Sequence, residues 1–315
     1  MRIAVIGVGG VGGYFGALLQ RAGHDLVFVA RGPHLAAMRD RGLRIESAVE
    51  DPFLIGVRAE TVTAGIGAVD LVLFTVKAYD TAAAAELLPP LIGDDTAVLT
   101  LQNGVDNVDL LAAAVGRDHV LGGAAYIFSS IAAPGMIRQT GGARRIVFGE
   151  LDGRRTGRAE LILDAFRQTG APVELIDTIM VEMWQKYIFI TAQGGMTALT
   201  RLPIGEIRAS PETFDMYLDA AEEVAAVGRA VGVPIPDGQR ERVRAFAQSL
   251  EPGSRSSLYH DLTQGRRMEL DALPGNVVRL GREHGIPTPV CRAVYAALKP
   301  YERALGEEAR KQGSD

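Results

Sequence analysis

The sequence predicts an α/β domain followed by an all-helical domain. Over residues 1–177, short apolar runs alternate with helical segments, a pattern typical of a parallel sheet covered on both faces. After residue 177 the apolar spacing becomes mostly helical. The length of 315 residues also corresponds to about two domains, at roughly 150 residues each. We therefore expect domains over residues 1–177 and 178–315.

Apolar runs predict the strands of the first domain at residues 3–6, 26–30, 71–76, 98–101 and 172–176. Helices are expected up to residue 21, over 81–88 and over 156–169, with strand and turn between 120 and 150. In the second domain, helices separated by glycine or proline are predicted over residues 179–199, 211–231, 239–250, 256–283 and 288–304.

The composition excludes several classes of protein. Hydrophobic residues make up 47% of the chain and charged residues 23%, as in ordinary globular proteins. The net charge of −5 argues against a nucleic-acid partner, which would require a basic surplus. No apolar run is long enough to span a bilayer, so no membrane partner is expected. The single cysteine, Cys291, favours a cytoplasmic location.

A glycine-rich motif directly follows the first strand and opens the first helix. It has the pattern G-x-G-x-x-G and consists of Gly7, Val8, Gly9, Gly10, Val11 and Gly12. In this pattern the glycines allow a tight turn, the close approach of a pyrophosphate and the packing of helix on strand. The motif therefore predicts a Rossmann-type dinucleotide-binding domain. The alternative is a purely structural glycine turn.

Charged and polar residues follow three further strands. Arg31 stands at the tip of the second strand, where an NAD site would usually carry an acid. An arginine there suits the 2′-phosphate of NADP(H), although it could also be a solvated loop residue. Lys77 and Asn103 follow the strands at 71–76 and 98–101. Because ligands bind outside the carboxyl ends of parallel strands, we expect these residues to face a cofactor or substrate.

The helical domain offers Lys186, in an apolar neighbourhood that favours a role in proton transfer. The alternative is an ion pair with Glu182, four residues earlier. Spacing alone leaves Ser257, Asp261 and Glu269 as polar positions on helices. The five histidines are scattered, so we expect no metal site.

The chain resembles the ketopantoate reductase (2-dehydropantoate 2-reductase) family over roughly residues 1–304. The resemblance rests on the order and spacing of several segments, namely MRIAVIGVGGVGGYFGALLQRAGHDLVFVAR, FTVKAYDT, LQNGVDN, the WQK helix, ALTRLPIGEIR and SSLYHDLTQGRRMELDALPG. It implies NADPH-dependent reduction of the 2-oxo group of ketopantoate to give pantoate, a step of pantothenate and coenzyme A biosynthesis.

The resemblance also implies roles for individual residues. Lys186 matches the family's catalytic lysine, and Glu269 matches a glutamate that serves catalysis and the cofactor. Gly7, Gly9, Gly12, Arg31 and Lys77 match cofactor-binding positions. Asn103 matches an asparagine near both nicotinamide and substrate, and Ser257 matches the substrate serine.

Three family asparagines that hold the polar end of ketopantoate are replaced here by Ile190, Gly194 and Ile204. Gln193 or Thr197 could compensate for them. We therefore keep two alternatives to ketopantoate reduction: the same reaction on a more apolar 2-oxo acid or ketone, and a non-catalytic NADP-binding sensor. The loss of the amides predicts that a more apolar 2-oxo compound competes with ketopantoate. A homodimer is compatible with the sequence, which does not determine the oligomeric state.

Overall fold

The computed structural model describes residues 1–312, which form two compact units. The first unit comprises Met1–Glu182 and the second begins at Met183. A long helix, Ile179–Thr200, begins in the first unit and continues in the second.

The first unit is built on one mixed sheet. Its strands are β1 (Arg2–Ile6), β2 (Asp25–Val29), β3 (Leu43–Ser47), β4 (Phe53–Ile55), β5 (Arg58–Glu60), β6 (Leu71–Phe74), β7 (Ala97–Thr100), β8 (Val120–Ala133), β9 (Met136–Glu150) and β10 (Val173–Leu175). They lie in the order β4-β3-β9-β8-β7-β6-β1-β2-β5, with β10 paired to β9.

The central strands are buried on both faces. Every residue of β6 and β7 is buried, as are four of the five residues of β1. Such continuous burial requires cover on both sides of the sheet, which explains why these strands are uninterrupted apolar runs. The pairs between β5, β2, β1, β6, β7 and β8 are all parallel, and the apolar runs at β1, β2, β6 and β7 predict such a parallel sheet.

The sheet departs from the expected parallel arrangement at one side. Strands β8 and β9 form a long antiparallel hairpin, and β3 and β4 are also antiparallel. Only two residues separate β8 from β9, and a connection that short joins antiparallel strands, since a parallel pair needs a long crossover. The sheet is therefore mixed.

Five helices belong to the first unit: α1 (Gly10–Arg21), α2 (Gly32–Arg41), α3 (Thr81–Ala85), α4 (Asn107–Val115) and α5 (Gly157–Arg167). The buried side of α1 includes Phe15, Leu18 and Leu19, in the same core cluster as Ile3 and Val5 of β1. This packing fixes the position at which α1 begins, directly after the glycine-rich turn.

The second unit is helical, as expected. It contains most of α6 (Ile179–Thr200), followed by α7 (Ile204–Ala209), α8 (Pro211–Ala230), α9 (Gln239–Ser249), α10 (Ser257–Thr263), α11 (Asn276–His284) and α12 (Pro289–Gln312). No described helix is long and apolar enough to cross a membrane.

The single helix predicted over residues 256–283 is wrong. The structure has α10, an irregular segment, a π-helical turn at Asp271–Gly275 and then α11. Gly265 has a positive φ of 62°, which ends a right-handed helix. Pro274, inside the π-helical turn, lacks the N–H that an α-helical bond requires. This break places Glu269 in the irregular segment instead of on a helix face.

Candidate active site

The first unit brings the predicted cofactor residues to one edge of its sheet. Gly7 follows β1, Arg31 follows β2, Lys77 follows β6 and Asn103 follows β7. These four strands are adjacent and parallel, so the four residues lie at the same carboxyl edge. That edge is where open α/β sheets bind ligands.

The turn after β1 has the geometry that its glycines predict. Gly7 has a φ of 95°, in the region that favours glycine. A Cβ at Gly12 would collide with the Thr75 hydroxyl and the Gly7 carbonyl. Thr75 donates to that carbonyl oxygen at 2.7 Å and thereby fixes the turn against the end of β6. Thr75 carries no distinctive sequence signal, because threonine is common in strands.

The turn also fits the phosphates of a dinucleotide. Gly9 is the N-cap of α1 and has no side chain to cap the helix, whose first turn has no acidic residue. A Cβ at Gly9 would meet no described atom within 4 Å, so the backbone there is open to close approach. The uncapped N–H groups and the positive end of the helix dipole are the features that bind phosphate.

Arg31 extends from the tip of β2 and is 82% exposed in its side chain. Its Nη2 atom lies 2.5 Å from Oδ2 of Asp80, in the turn that follows Lys77. This ion pair shows that the turns after β2 and β6 lie close together. The guanidinium is placed where a 2′-phosphate would be bound by an arginine at this strand end.

Lys77 and Asn103 are half-buried on the neighbouring turns. Gln102, which precedes Asn103, donates from its amide to the Val76 carbonyl at 3.0 Å and to the Thr81 hydroxyl at 2.7 Å. Through these two hydrogen bonds, the buried amide holds the turn that carries Lys77 next to the turn that carries Asn103. The sequence gives no signal for this role, because it depends on β6 and β7 being neighbours.

In the second unit, α6 presents Lys186 from a firmly packed segment. Trp184 is buried and packs edge-to-face on Tyr187, with 5.4 Å between the ring centroids. It also lies against Gly228 of α8, where an added Cβ would collide with the tryptophan ring. Lys186 itself is half-buried. The tryptophan thus fixes the rotation of the helix and, with it, the direction of the lysine.

Glu182 is engaged by the sheet of the first unit. Its Oε1 atom accepts from the Tyr126 hydroxyl at 2.8 Å and from the Arg145 guanidinium at 3.0 Å. Together with burial, this negative partner raises the pKa of Tyr126. These two donors give Glu182 a structural role, in which it joins the start of α6 to β8 and β9.

The segments that carry the other predicted residues of the second unit are tied to α6 by hydrogen bonds. Tyr187 donates to the Leu273 carbonyl at 2.6 Å, four residues after Glu269, whose side chain is buried. Thr197 pairs with the Ser256 hydroxyl at 2.7 Å, and the exposed Ser257 begins α10 directly after it. The segments bearing Ser257 and Glu269 are therefore held to the helix that carries Lys186.

The three positions that lack the family asparagines differ in their surroundings. Ile190 is half-buried on α6. At Gly194 an added Cβ would make only ordinary contacts, at 3.7–3.9 Å, with Leu258 and Leu273. Ile204 is 0% exposed and belongs to the core, so its side chain packs inside the protein. Only Ile190 and Gly194 therefore remain positions where the replacement could change a binding surface.

Comparison with known proteins identifies a match over most of the chain. The family model described as "Ketopantoate reductase PanE/ApbA" matches residues 3–153, and the model of the corresponding C-terminal region matches residues 178–302. An uncharacterised oxidoreductase, YkpB of Bacillus subtilis (strain 168), is 32% identical over 303 residues, covering 96% of this chain and 99% of that protein.

Two further relatives carry a named activity or family. The 2-dehydropantoate 2-reductase of Mesorhizobium japonicum is 32% identical over 320 residues, covering 95% of this chain and 97% of that protein. The crystal structure of a PanE/ApbA family ketopantoate reductase from Ralstonia eutropha JMP134 superposes with a TM-score of 0.88 at 34% identity, covering 97% of this chain and all of that one.

Proposed function

The chain belongs to the ketopantoate reductase family of oxidoreductases, and from this premise we propose that it reduces ketopantoate to pantoate with NADPH. The observation that carries the proposal is that the first unit contains a turn suited to phosphate binding at the start of α1, in a chain whose helix α6 carries Lys186. The product would enter pantothenate biosynthesis, and the single cysteine of the chain fits a cytoplasmic enzyme.

The turn formed by Gly7, Val8, Gly9, Gly10, Val11 and Gly12 would hold the pyrophosphate of NADP(H) against the N-terminus of α1. Arg31 would bind the 2′-phosphate, because its exposed guanidinium lies at the tip of β2 and can form charge-assisted hydrogen bonds. Lys77 and Asn103 would complete the cofactor site from the turns after β6 and β7. Glu269 is assigned to the cofactor as well, as the family resemblance implies.

When bound, NADPH supplies a hydride for the carbonyl carbon. Lys186 acts on the other atom of that carbonyl: its ammonium group donates a hydrogen bond to the 2-oxo oxygen and gives up a proton as negative charge develops there. General acid catalysis of this kind typically contributes on the order of 10²–10⁴ in rate. Glu269, buried between Met268 and Leu270 of the core, would orient the lysine or the new hydroxyl.

Substrate binding is assigned to Asn103, Lys186 and Ser257. Ser257 is exposed at the start of α10, while the neighbouring Ser256 is occupied in capping that helix through Tyr259 N at 3.0 Å. Because Ser256 is the residue that caps α10, the neighbouring Ser257 hydroxyl is assigned to the carboxylate of a 2-oxo acid.

The proposal is tested by incubating the purified protein with NADPH and ketopantoate and following both cofactor oxidation and product identity. We expect equimolar formation of NADP⁺ and pantoate. NADPH binding without turnover on any 2-oxo acid would instead indicate the non-catalytic sensor, and turnover confined to apolar 2-oxo acids or ketones would indicate the other alternative.

A further inference from the structure

Helix α6 contains a buried carboxamide with an unsatisfied oxygen. Gln193 is only 5% exposed, and its Oε1 atom has no hydrogen-bond partner among the described residues. Buried polar atoms in folded proteins are nearly always hydrogen-bonded, so an open buried acceptor requires an explanation. A ligand that supplies the missing donor is one such explanation.

Gln193 lies on the same face of α6 as Lys186. Seven residues separate them, which at 3.6 residues per turn places their side chains within about 20° of each other around the helix axis. The rise of 1.5 Å per residue separates the two positions by about 10 Å along that axis. A small molecule that contacts Lys186 through one end can therefore extend along the helix towards Gln193.

Thr197, the other candidate for replacing the missing amides, is already occupied. Its hydroxyl donates to the Gln193 backbone carbonyl at 2.6 Å. It also pairs with the Ser256 hydroxyl, whose oxygen accepts from Tyr259 N. Because the single proton of Thr197 is committed within the protein, this side chain serves the packing of α6 on α10.

The position next to Gln193 on α6 has an apolar environment. Gly194, the next residue, lacks a side chain, and an added Cβ would lie 3.7–3.9 Å from Leu258 and Leu273. Those contacts are ordinary van der Waals contacts with apolar side chains. A hydrogen bond formed beside such an apolar wall discriminates strongly, because a ligand that cannot make it leaves the buried acceptor unpaired.

Given the proposed function, on which this inference rests, we propose that Gln193 recognises the hydroxyl group of ketopantoate. At neutral pH the carboxylate and the 2-oxo oxygen of this substrate are acceptors only. The hydroxyl is its one donor, and the unsatisfied Oε1 of Gln193 is an acceptor. Gln193 thus takes over the task of the absent family amides and selects the hydroxylated 2-oxo acid over its des-hydroxy analogue.

The test compares kcat/KM for ketopantoate and for 2-oxo-3,3-dimethylbutanoate, which lacks the hydroxyl. We expect the unmodified protein to prefer ketopantoate. Gln193→Met, which is similar in shape but whose sulfur is only a weak acceptor, should lower that preference by roughly 10- to 100-fold. The loss should fall on ketopantoate and leave the analogue nearly unchanged.

Thr191→Val provides the matched control. Thr191 is also buried on α6 with an unpartnered Oγ1 among the described residues, but it lies on another face of the helix. Removing its hydroxyl should leave the preference unchanged. Thermal unfolding of both variants without ligand gives a further readout, since Oε1 of Gln193 makes no bond whose loss would destabilise the protein.

The outcomes separate this inference from the proposed function. Absence of turnover on both compounds by the unmodified protein would contradict the function itself. Turnover without a preference, an unchanged preference in Gln193→Met, or a marked fall in its melting temperature would overturn the role of Gln193 while leaving the reaction in place.

Discussion

At the scale of single residues, we propose that Arg31, at the end of β2, sets the preference for NADPH over NADH. The ion pair between Arg31 and Asp80 is largely exposed on the arginine side, and exposed pairs contribute only about 0–1 kcal/mol. The guanidinium can therefore exchange the carboxylate for a phosphate at little cost. Asp80, by contrast, repels a phosphate placed beside Arg31.

Arg31→Ala should weaken NADPH binding by roughly 10- to 100-fold, because a charge-assisted hydrogen bond is lost, and should leave NADH binding nearly unchanged. Asp80→Asn should act in the opposite direction and strengthen NADPH binding. Fluorescence titration of both cofactors measures the two constants. Equal affinities of the unmodified protein for NADPH and NADH would contradict the assignment of Arg31.

Lys186→Ala should lower kcat by about 10²–10⁴ and leave the dissociation constant of NADPH unchanged, because the lysine acts on the substrate carbonyl. Lys186→Arg should not restore turnover, since a guanidinium keeps its proton at neutral pH. Steady-state kinetics and cofactor titration check both statements. Turnover of Lys186→Ala at the original rate would show that this lysine has no catalytic role.

At the scale of elements, α6 combines an anchored segment around Trp184 with two adjacent glycines, Gly194 and Gly195, in its interior. Glycine in a helix interior costs roughly 0.5–1 kcal/mol relative to alanine. The two positions differ in their neighbours. A Cβ at Gly194 would make ordinary van der Waals contacts, whereas one at Gly195 would lie 2.9 Å from Cγ1 of the buried Val294.

Gly194→Ala should therefore stabilise the protein by about 0.5–1 kcal/mol, and Gly195→Ala should destabilise it by about 1–3 kcal/mol through overpacking. Thermal unfolding of the two variants without ligand measures the difference. Melting-temperature shifts of the same sign and size in the two variants would show that a Cβ fits no better at Gly194 than at Gly195.

The sequence predicts best the strands and helices whose apolar residues follow a single, regular pattern. Strands β1, β6 and β7 are continuous apolar runs because both their faces are buried. Strands β3 and β5 were not predicted, since they mix charged with apolar residues, as LRIES and RAE show. Strand β4 was not predicted either, since it has only three residues. The break within residues 256–283 was missed because apolar spacing persists on both sides of it.

At the scale of the whole molecule, the buried histidine His34 makes stability depend on pH. Its Nδ1 atom accepts from Gly135 N at 3.1 Å, and burial lowers its pKa from the ordinary value of 6.5. Burial also lowers the pKa of His24. The unfolded chain then binds more protons than the folded one near and below pH 6.5, so stability falls as the pH decreases through that range.

The melting temperature should accordingly fall between about pH 7.5 and about pH 5.5, where the unfolded histidines become protonated. His34→Gln can still accept from Gly135 N through its amide oxygen, but it does not titrate. Its melting temperature should depend less on pH over the same interval, as scanning calorimetry at several pH values would measure. An equal slope in both proteins would remove His34 as a cause.

The candidate site was partly predictable for a physical reason. Gly7, Arg31, Lys77 and Asn103 follow strands, and the edge rule for parallel sheets places them together without coordinates. Gln102 was not predicted to link the turns after β6 and β7, because that role depends on which groups lie beside it. Gln193 was one of two candidates to replace the missing amides, and the structure adds that its Oε1 atom has no hydrogen-bond partner among the described residues. The resemblance to a known family, rather than spacing, assigned Lys186 its function.

The most direct test of the central claim is a comparison of kcat/KM with NADPH across a panel of 2-oxo acids that includes ketopantoate. We expect ketopantoate to give the highest value and pantoate to be the product. A higher value for a 2-oxo acid without the hydroxyl group, or no turnover of ketopantoate, would contradict the assignment of this chain as a ketopantoate reductase.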